Sequence, residues 1–271
     1  MSTMRHVNSP RNAEVKALLK LRERRTRDRE GVFLIEGRRE IERAVQAGVR
    51  LQALYLCPDM SAPAGMRELQ KELELLQVET VTLSTAAFNR LSMRENPDGA
   101  LALAETWQFE PEDLQLPAQP LLLVIDGAEK PGNLGALLRT ADSAGADAVF
   151  LTGAGTDLFN PNVVRASMGS LFACPATHIS QGEFITWLRR RGFRLFATSP
   201  AAHVTYWDAD LRDGCAIVLG AEHEGLPMSW IEEADELLAV PLHGLADSLN
   251  VATTGALLLY EALRQRSGAA G

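Results

Sequence analysis

VIDGAEKPGNLGALLRTADSAGA, residues Val124–Ala146, is the stretch whose reading decides the fold. It opens on an apolar run of strand length and turns through Gly127 and Pro131. It then enters a helix whose apolar face is Leu134, Leu137, Leu138 and Ala141. Two later stretches repeat the plan: IVLGAEHEGLP at Ile217–Pro227 and VPLHGLADSLNVATTGALLLYEAL at Val240–Leu263. Each passes from an apolar run through a loop bearing Gly or Asn toward a helix. Strands this apolar, separated by helical lengths, predict a parallel sheet covered on both faces, an α/β fold. Such sheets place their ligand sites at the carboxyl ends of the strands, where these loops lie.

The polar residues left in the loops are Asn133, Arg139, Glu222, Ser248 and Asn250. Each has a local reading beside a functional one. Asn133, Ser248 and Asn250 all stand where an N-cap is wanted. Arg139 lies about 100° around the helix from Leu138, where it serves equally as a surface charge beside Asp142. Glu222 suits a helix N-terminus or a loop or sugar hydroxyl. Gly220 would let a ligand approach the backbone. Gly255, inside an otherwise good helix, costs about 1 kcal/mol against Ala and implies close approach by another backbone. His243 reads as a loop-ordering residue rather than a general base. Gly153-Ala-Gly155 resembles half of a dinucleotide loop, but position 158 is Leu. No GxSxG, HExxH or P-loop occurs.

Upstream, the pattern predicts one helix over Asn12–Arg29, then Val32–Ile35 (strand), Arg38–Ala47 (helix) and Leu51–Cys57 (strand). Met66–Leu76 (helix), Val78–Leu83 (strand), Thr85–Leu91 (helix) and Ala100–Ala104 (strand) follow. This smaller α/β unit occupies residues 1–105. TWQFEPEDLQLPAQP, with three prolines, is the linker at 106–120, and 121–271 form the second domain. From Leu121 the expected elements are LLLVI, a helix through Leu134–Ser143, AVFLT, a helix near Asn162–Met168, Phe193–Thr198, Cys215–Gly220, Leu237–Leu242 and a final helix over about Val251–Gln265.

Net charge is −8, yet it is unevenly spread. The first 50 residues hold 13 Lys and Arg against 7 Asp and Glu; the remainder holds 14 against 28. Arg22, Arg24, Arg25, Arg27 and Arg29 crowd the end of the first predicted helix, and Arg38 and Arg39 begin the next. Such a patch fits phosphate contact by RNA, or else a solvated helix face. Cys57, Cys174 and Cys215 are widely spaced, lie near apolar runs and form no metal-ligand pattern, so they read as buried thiols and no metal is implied. No apolar run approaches the roughly 18 residues of a membrane span. The first twenty residues lack a signal-peptide core, so the expected compartment is the cytoplasm.

The three motifs, in this order and spacing over Leu121–Arg264, resemble the SpoU (TrmH-type) RNA ribose methyltransferases of the SPOUT superfamily. FLIEGRREIERAVQAGV and NPDGALALAE are similar to the opening and close of that family's ribosomal-protein-like substrate-binding domain. The resemblance implies a parallel-sheet SPOUT domain with a deep trefoil knot, S-adenosylmethionine as cofactor, a homodimer, and RNA as partner. It implies that Arg139 is the catalytic arginine, with Asn133, Glu222, Ser248 and Asn250 orienting it and the ribose. It implies that Thr198, Gly220, Val240 and Leu249 hold the cofactor. His223 departs from the family's usual Gly, and Glu224 is one of several residues tolerated there. The expected activity is 2′-O-ribose methylation of large-subunit ribosomal RNA. The alternatives are a transfer-RNA ribose methyltransferase and a non-catalytic RNA-binding or assembly factor on the same fold.

Overall fold

Alternating strand and helix patterns build two compact units, seen in a computed structural model that describes residues 5–60, 63–222 and 224–268. The first runs to Trp107 and takes in Phe159–Ala173; the second is Gln108–Leu158 with the chain from Cys174 onward.

In the first unit the elements are β1 (Arg5–Val7), α1 (Ala13–Lys20), α2 (Arg24–Glu30), β2 (Val32–Glu36) and α3 (Arg38–Gln46). They continue with β3 (Leu51–Leu56), α4 (Pro63–Leu75), β4 (Glu79–Leu83), α5 (Thr85–Leu91) and β5 (Ala100–Glu105). The five strands lie in the order β1-β4-β3-β5-β2, with β1, β4 and β3 parallel and β5 antiparallel to both β3 and β2. Val15, Leu18, Leu21, Phe88 and Leu91 pack with strand residues such as Tyr55 and Val81.

The single helix expected over Asn12–Arg29 is two helices, broken at Leu21–Glu23. The break lets Leu21, Thr26 and Arg27 all be buried, which one straight helix with a single apolar stripe does not offer. Asn12 caps α1 by accepting the Glu14 N–H, and Gly31 ends α2 in the left-handed region at φ 66°.

The segment 159–173 carries α7 (Pro161–Ser167). Its Phe159 and Phe172 join Phe33 and Trp107 in an aromatic cluster; the Phe159 ring centroid lies 4.9 Å from that of Phe33 and 4.7 Å from that of Trp107. By packing, then, these residues belong with the first unit, although in sequence they sit inside the stretch read as the second domain.

The second unit contains β6 (Leu121–Asp126), α6 (Pro131–Ala144), β7 (Ala148–Thr152), β8 (Ala176–His178), α8 (Gln181–Arg191), β9 (Arg194–Thr198) and β10 (Val204–Thr205). It ends with β11 (Cys215–Leu219), α9 (Met228–Glu233), β12 (Glu236–Ala239) and α10 (Val251–Ser267). Its seven strands are all parallel, in the order β10-β12-β9-β11-β6-β7-β8. The central strands β6, β7 and β11 are buried at every residue, as expected of a parallel sheet covered on both faces.

The chain moves from β6 outward through β7 and β8, then returns on the other side of β6 and β11 to form β9. The register aligns Val218 with Val124 and with Ala197, and Leu238 with Thr198. The carboxyl ends of β6, β9, β11 and β12 therefore open toward one edge, where the order of the sheet reverses and a ligand crevice is expected.

Helix α10 packs on α6. A Cβ on Gly255 would run into Leu137 of α6 and Leu219 of β11. The close approach expected at Gly255 is thus made by side chains, not by another backbone. Elements that the pattern did not announce are β1, β8, α8, β10 and α9, all short or amphipathic over few residues except the 11-residue α8.

Candidate active site

Loops leaving the carboxyl ends of β9, β11 and β12 enclose a cavity of about 310 Å³. Thr198, Gly220, Val240 and Leu249 all line it, together with Ser248 and Glu222. Its walls mix apolar side chains (Leu219, Leu226, Leu238, Val240, Val251) with polar ones (Ser199, Glu224, Thr254), a composition suited to a ligand with a flat apolar part and a charged tail. The Thr198 hydroxyl donates to the Val218 carbonyl at 3.2 Å, tying β9 to β11 at the mouth of the cavity.

The need for Gly220 has a different cause from the one expected. A Cβ there would strike the backbone of Gly225 and Leu226, because the loop folds back on itself through the Ala221–Gly225 bridge. Gly220 makes the loop's own return possible, and the cavity forms beside it.

Beside the cavity the three motifs are joined by a directional chain of hydrogen bonds. Asn250 is the N-cap of α10, its Oδ1 accepting the Ala252 N–H at 2.9 Å. That bond leaves the Asn250 Nδ2 to donate to Asn133 Oδ1 at 3.1 Å. Asn133 Nδ2 in turn donates to Glu222 Oε1. The remaining carboxylate oxygen, Oε2, lies 3.0 Å from the Lys130 ammonium. Because an amide has one acceptor end and one donor end, each link fixes the orientation of the next. Each amide nitrogen also carries a second N–H, which can meet a ligand hydroxyl.

Asn133 is therefore no N-cap. The α6 cap position is Lys130, whose side chain caps nothing, and Pro131 takes the first helical place. Arg139 is exposed on α6. Six residues beyond Asn133, it stands about 120° around the helix and about 9 Å along it, so it faces a different direction from the amide chain. Ser248 is exposed and lines the cavity. His243 is exposed and is not among the lining residues. His223 lies outside the described residues. Lys130 was not anticipated, although a cation at a helix N-terminus, against the macrodipole, is the anomaly that could have drawn attention to it.

Elsewhere in the second unit, a hollow is lined by Asp208, Arg212 and Arg264, and its two arginines are already in ion pairs, Arg212 with Asp210 at 2.6 Å and Arg264 with Glu261 at 2.7 Å. All three cysteines are free and buried. Burial, with Asp142 and Asp147 nearby, pushes the Cys174 thiol up to about 12, so it is inert as a nucleophile. Among the described residues there is no cluster of three metal-ligating side chains, and no helix is long and apolar enough to cross a membrane.

In the first unit the arginines differ. Arg24, Arg25 and Arg39 are exposed, Arg24 lying 3.6 Å from Asp28. Arg22 donates to the carbonyls of Arg90, Leu91 and Ser92 at the end of α5, and Arg38 pairs with Glu42 at 2.5 Å. Arg27 departs from the expectation of a phosphate contact. It is 1% exposed, and its guanidinium donates to the carbonyls of Leu21 at 2.8 Å and Arg22 at 2.9 Å, closing the break after α1.

Compared with known proteins, residues 120–260 match the SpoU rRNA Methylase family, and residues 12–102 match the MRM3-like substrate binding domain. The chain is 30% identical over 257 residues to the 23S rRNA (guanosine(2553)-2′-O)-methyltransferase RlmP of Bacillus subtilis (strain 168), covering 95% of this chain and 98% of that one. A crystal structure of an RNA 2′-O ribose methyltransferase superposes with a TM-score of 0.84 at 42% identity, covering 97% of this chain and 99% of its own. That of an AdoMet-bound rRNA methyltransferase from Sinorhizobium meliloti superposes with a TM-score of 0.89 at 29% identity, covering 96% and 98%.

Proposed function

Since the chain belongs to the SpoU rRNA Methylase family, we propose that it transfers a methyl group from S-adenosylmethionine to the 2′-hydroxyl of a ribose in large-subunit, 23S-type ribosomal RNA. The observation that carries this reading is the amide chain Asn250–Asn133–Glu222, set beside a cavity at the carboxyl ends of parallel strands. S-Adenosylmethionine, when bound, supplies an electrophilic methyl on a sulfonium that departs as a neutral thioether.

No general acid is needed for such a leaving group. What the chain must do is hold the ribose oxygen in line and accommodate the loss of its proton. Thr198, Gly220, Val240 and Leu249 hold the cofactor within the cavity they line. Asn133 and Asn250 present their remaining N–H groups to the ribose, and Glu222 and Ser248 complete its surroundings. Arg139, a guanidinium with donors and no acceptor, acts as the cation that stabilises the developing oxyanion rather than as the base.

The same reading assigns residues 1–105 to substrate binding, 106–120 to a linker and 121–271 to the methyltransferase domain with its trefoil knot. It is supported by the match of residues 12–102 to a substrate-binding domain and by α10 lying against α6. The protein acts as a homodimer. The outer face of α10 supports this with a hollow lined by Tyr206, Ala256, Leu257 and Tyr260, beside Trp207 at 50% exposure. A different facing for Arg139 agrees with a site completed near such an interface. Action on ribosomal RNA puts the work in the cytoplasm.

Transfer from methyl-labelled S-adenosylmethionine, offered ribosomal and transfer RNA separately, tests the proposal. Label in alkali-stable dinucleotides from large-subunit RNA is the expected result. Label in transfer RNA favours the other ribose methyltransferase reading, and no transfer to any RNA favours an assembly factor.

A further inference from the structure

Lys130 is misplaced by every local rule. It occupies the N-cap position of α6, makes no cap with its side chain, and sets a cation against the positive end of the helix dipole. Its side chain is 61% exposed, so burial of its stem does not account for it either. What it does touch is Glu222, at 3.0 Å from Oε2, and that side chain is only 10% exposed. Glu222 uses Oε1 to accept from Asn133. A carboxylate so shielded from water is costly without compensation, and Lys130 supplies a compensating charge.

We propose that Lys130 is a positioning residue for methyl transfer, holding Glu222 Oε2 so that Oε1 keeps the Asn133 amide turned with its nitrogen toward Glu222 and its oxygen toward Asn250. The inference rests on reading the cavity and amide chain as a methyltransferase site. With the ammonium removed, the carboxylate can rotate or draw in water, and the Asn133 amide keeps only Asn250 of the two partners that fix its orientation. The Asn133 N–H aimed at the ribose then goes out of line, while the Asn250 amide stays held by its cap to the Ala252 N–H and loses only a well-placed acceptor in Asn133. Lys130 itself need not touch the RNA.

Two variants and two readouts test this. Lys130→Met removes the charge and keeps most of the stem; Lys130→Arg restores a cation able to reach the carboxylate. In single-turnover transfer, Lys130→Met is expected to slow the methyl step by on the order of tenfold, a loss typical of small misalignment. RNA affinity, its salt dependence and cofactor affinity should stay within about twofold, and Lys130→Arg should recover most of the rate. Independently of activity, the side-chain amide signals of ¹⁵N-labelled Asn133 and Asn250 should move in Lys130→Met and return in Lys130→Arg.

A loss confined to RNA affinity, with a flatter salt dependence, would make Lys130 a phosphate contact and overturn the proposal. An unchanged rate with unmoved amide signals overturns it too. If the parent protein methylates no RNA, the reading of the site fails and the reaction role with it. The amide spectra then still decide whether Lys130 sets the amides.

Discussion

The polar residues of the second unit's loops and the arginines of the first unit's helices look alike in sequence, as groups of candidate ligand-binding side chains, but the structure treats them differently. Asn133, Glu222 and Asn250 come from three separated motifs and converge into one hydrogen-bonded chain. The arginines come from one short stretch and diverge: Arg22 and Arg27 bind main-chain carbonyls, Arg38 pairs within its helix, and Arg24, Arg25 and Arg39 face solvent. Fixed spacing across distant motifs identifies a site, whereas local density of charge identifies only a composition.

The contrast breaks most severely if Arg139 is dispensable, since it stands on α6 with Asn133 but outside the amide chain. Arg139→Ala is expected to slow single-turnover methyl transfer by on the order of 10²–10³-fold, the loss seen when one donor to a developing oxyanion is removed. Calorimetry should find cofactor affinity changed by no more than a few fold. Near-normal turnover would confine the chemistry to the amide chain.

Arg27 gives the next largest effect, and it concerns stability. Arg27→Ala leaves the Leu21 and Arg22 carbonyls without their donor and opens a cavity under α2, for a loss of about 2–4 kcal/mol in denaturant unfolding. The salt dependence of RNA binding by the folded variant should match the parent. A flattened salt slope without a stability loss would make Arg27 a phosphate contact after all.

Asn250 separates capping from site geometry. Asn250→Asp keeps the acceptor for the Ala252 N–H, so stability should change by less than about 0.5 kcal/mol. The same change points an anionic oxygen at Asn133 Oδ1 in place of a donor, and transfer should slow by about tenfold. Equal loss of stability and rate would reduce Asn250 to a cap.

Replacing Arg24, Arg25 and Arg39 by Gln tests the exposed arginines. Stability should hold within about 0.5 kcal/mol. RNA affinity should fall, and the slope of log affinity against log salt should flatten by about 1 for each phosphate that is no longer neutralised. Unaltered affinity and slope would leave these residues as a solvated helix face.

Much of this molecule was legible in its sequence, for identifiable reasons. The buried parallel strands are continuous apolar runs of strand length, and β6, β7, β9 and β11 stand within a residue of where the pattern put them. The carboxyl-end rule then located the loops. The break between α1 and α2 was not legible, because the stretch has helical composition throughout and the reason for the break is tertiary: three side chains on different faces are buried. The packing of Phe159 and Phe172 with Phe33 was equally hidden, since no local pattern says which core an aromatic residue joins. The reasons for Gly220 and Gly255 could be read only as crowding; what crowds them needed coordinates. The partners of Glu222 lie 89 residues away in Asn133 and farther still in Lys130, beyond any local rule.

Nucleotide-resolution mapping of 2′-O-methyl riboses tests the central claim most directly. Unmodified large-subunit ribosomal RNA would be treated with S-adenosylmethionine and either the parent protein or Asn133→Ala. The account predicts one new alkali-resistant ribose with the parent and little or none with the variant. A methyl group found on a base, or the same ribose modified equally by both proteins, would contradict it.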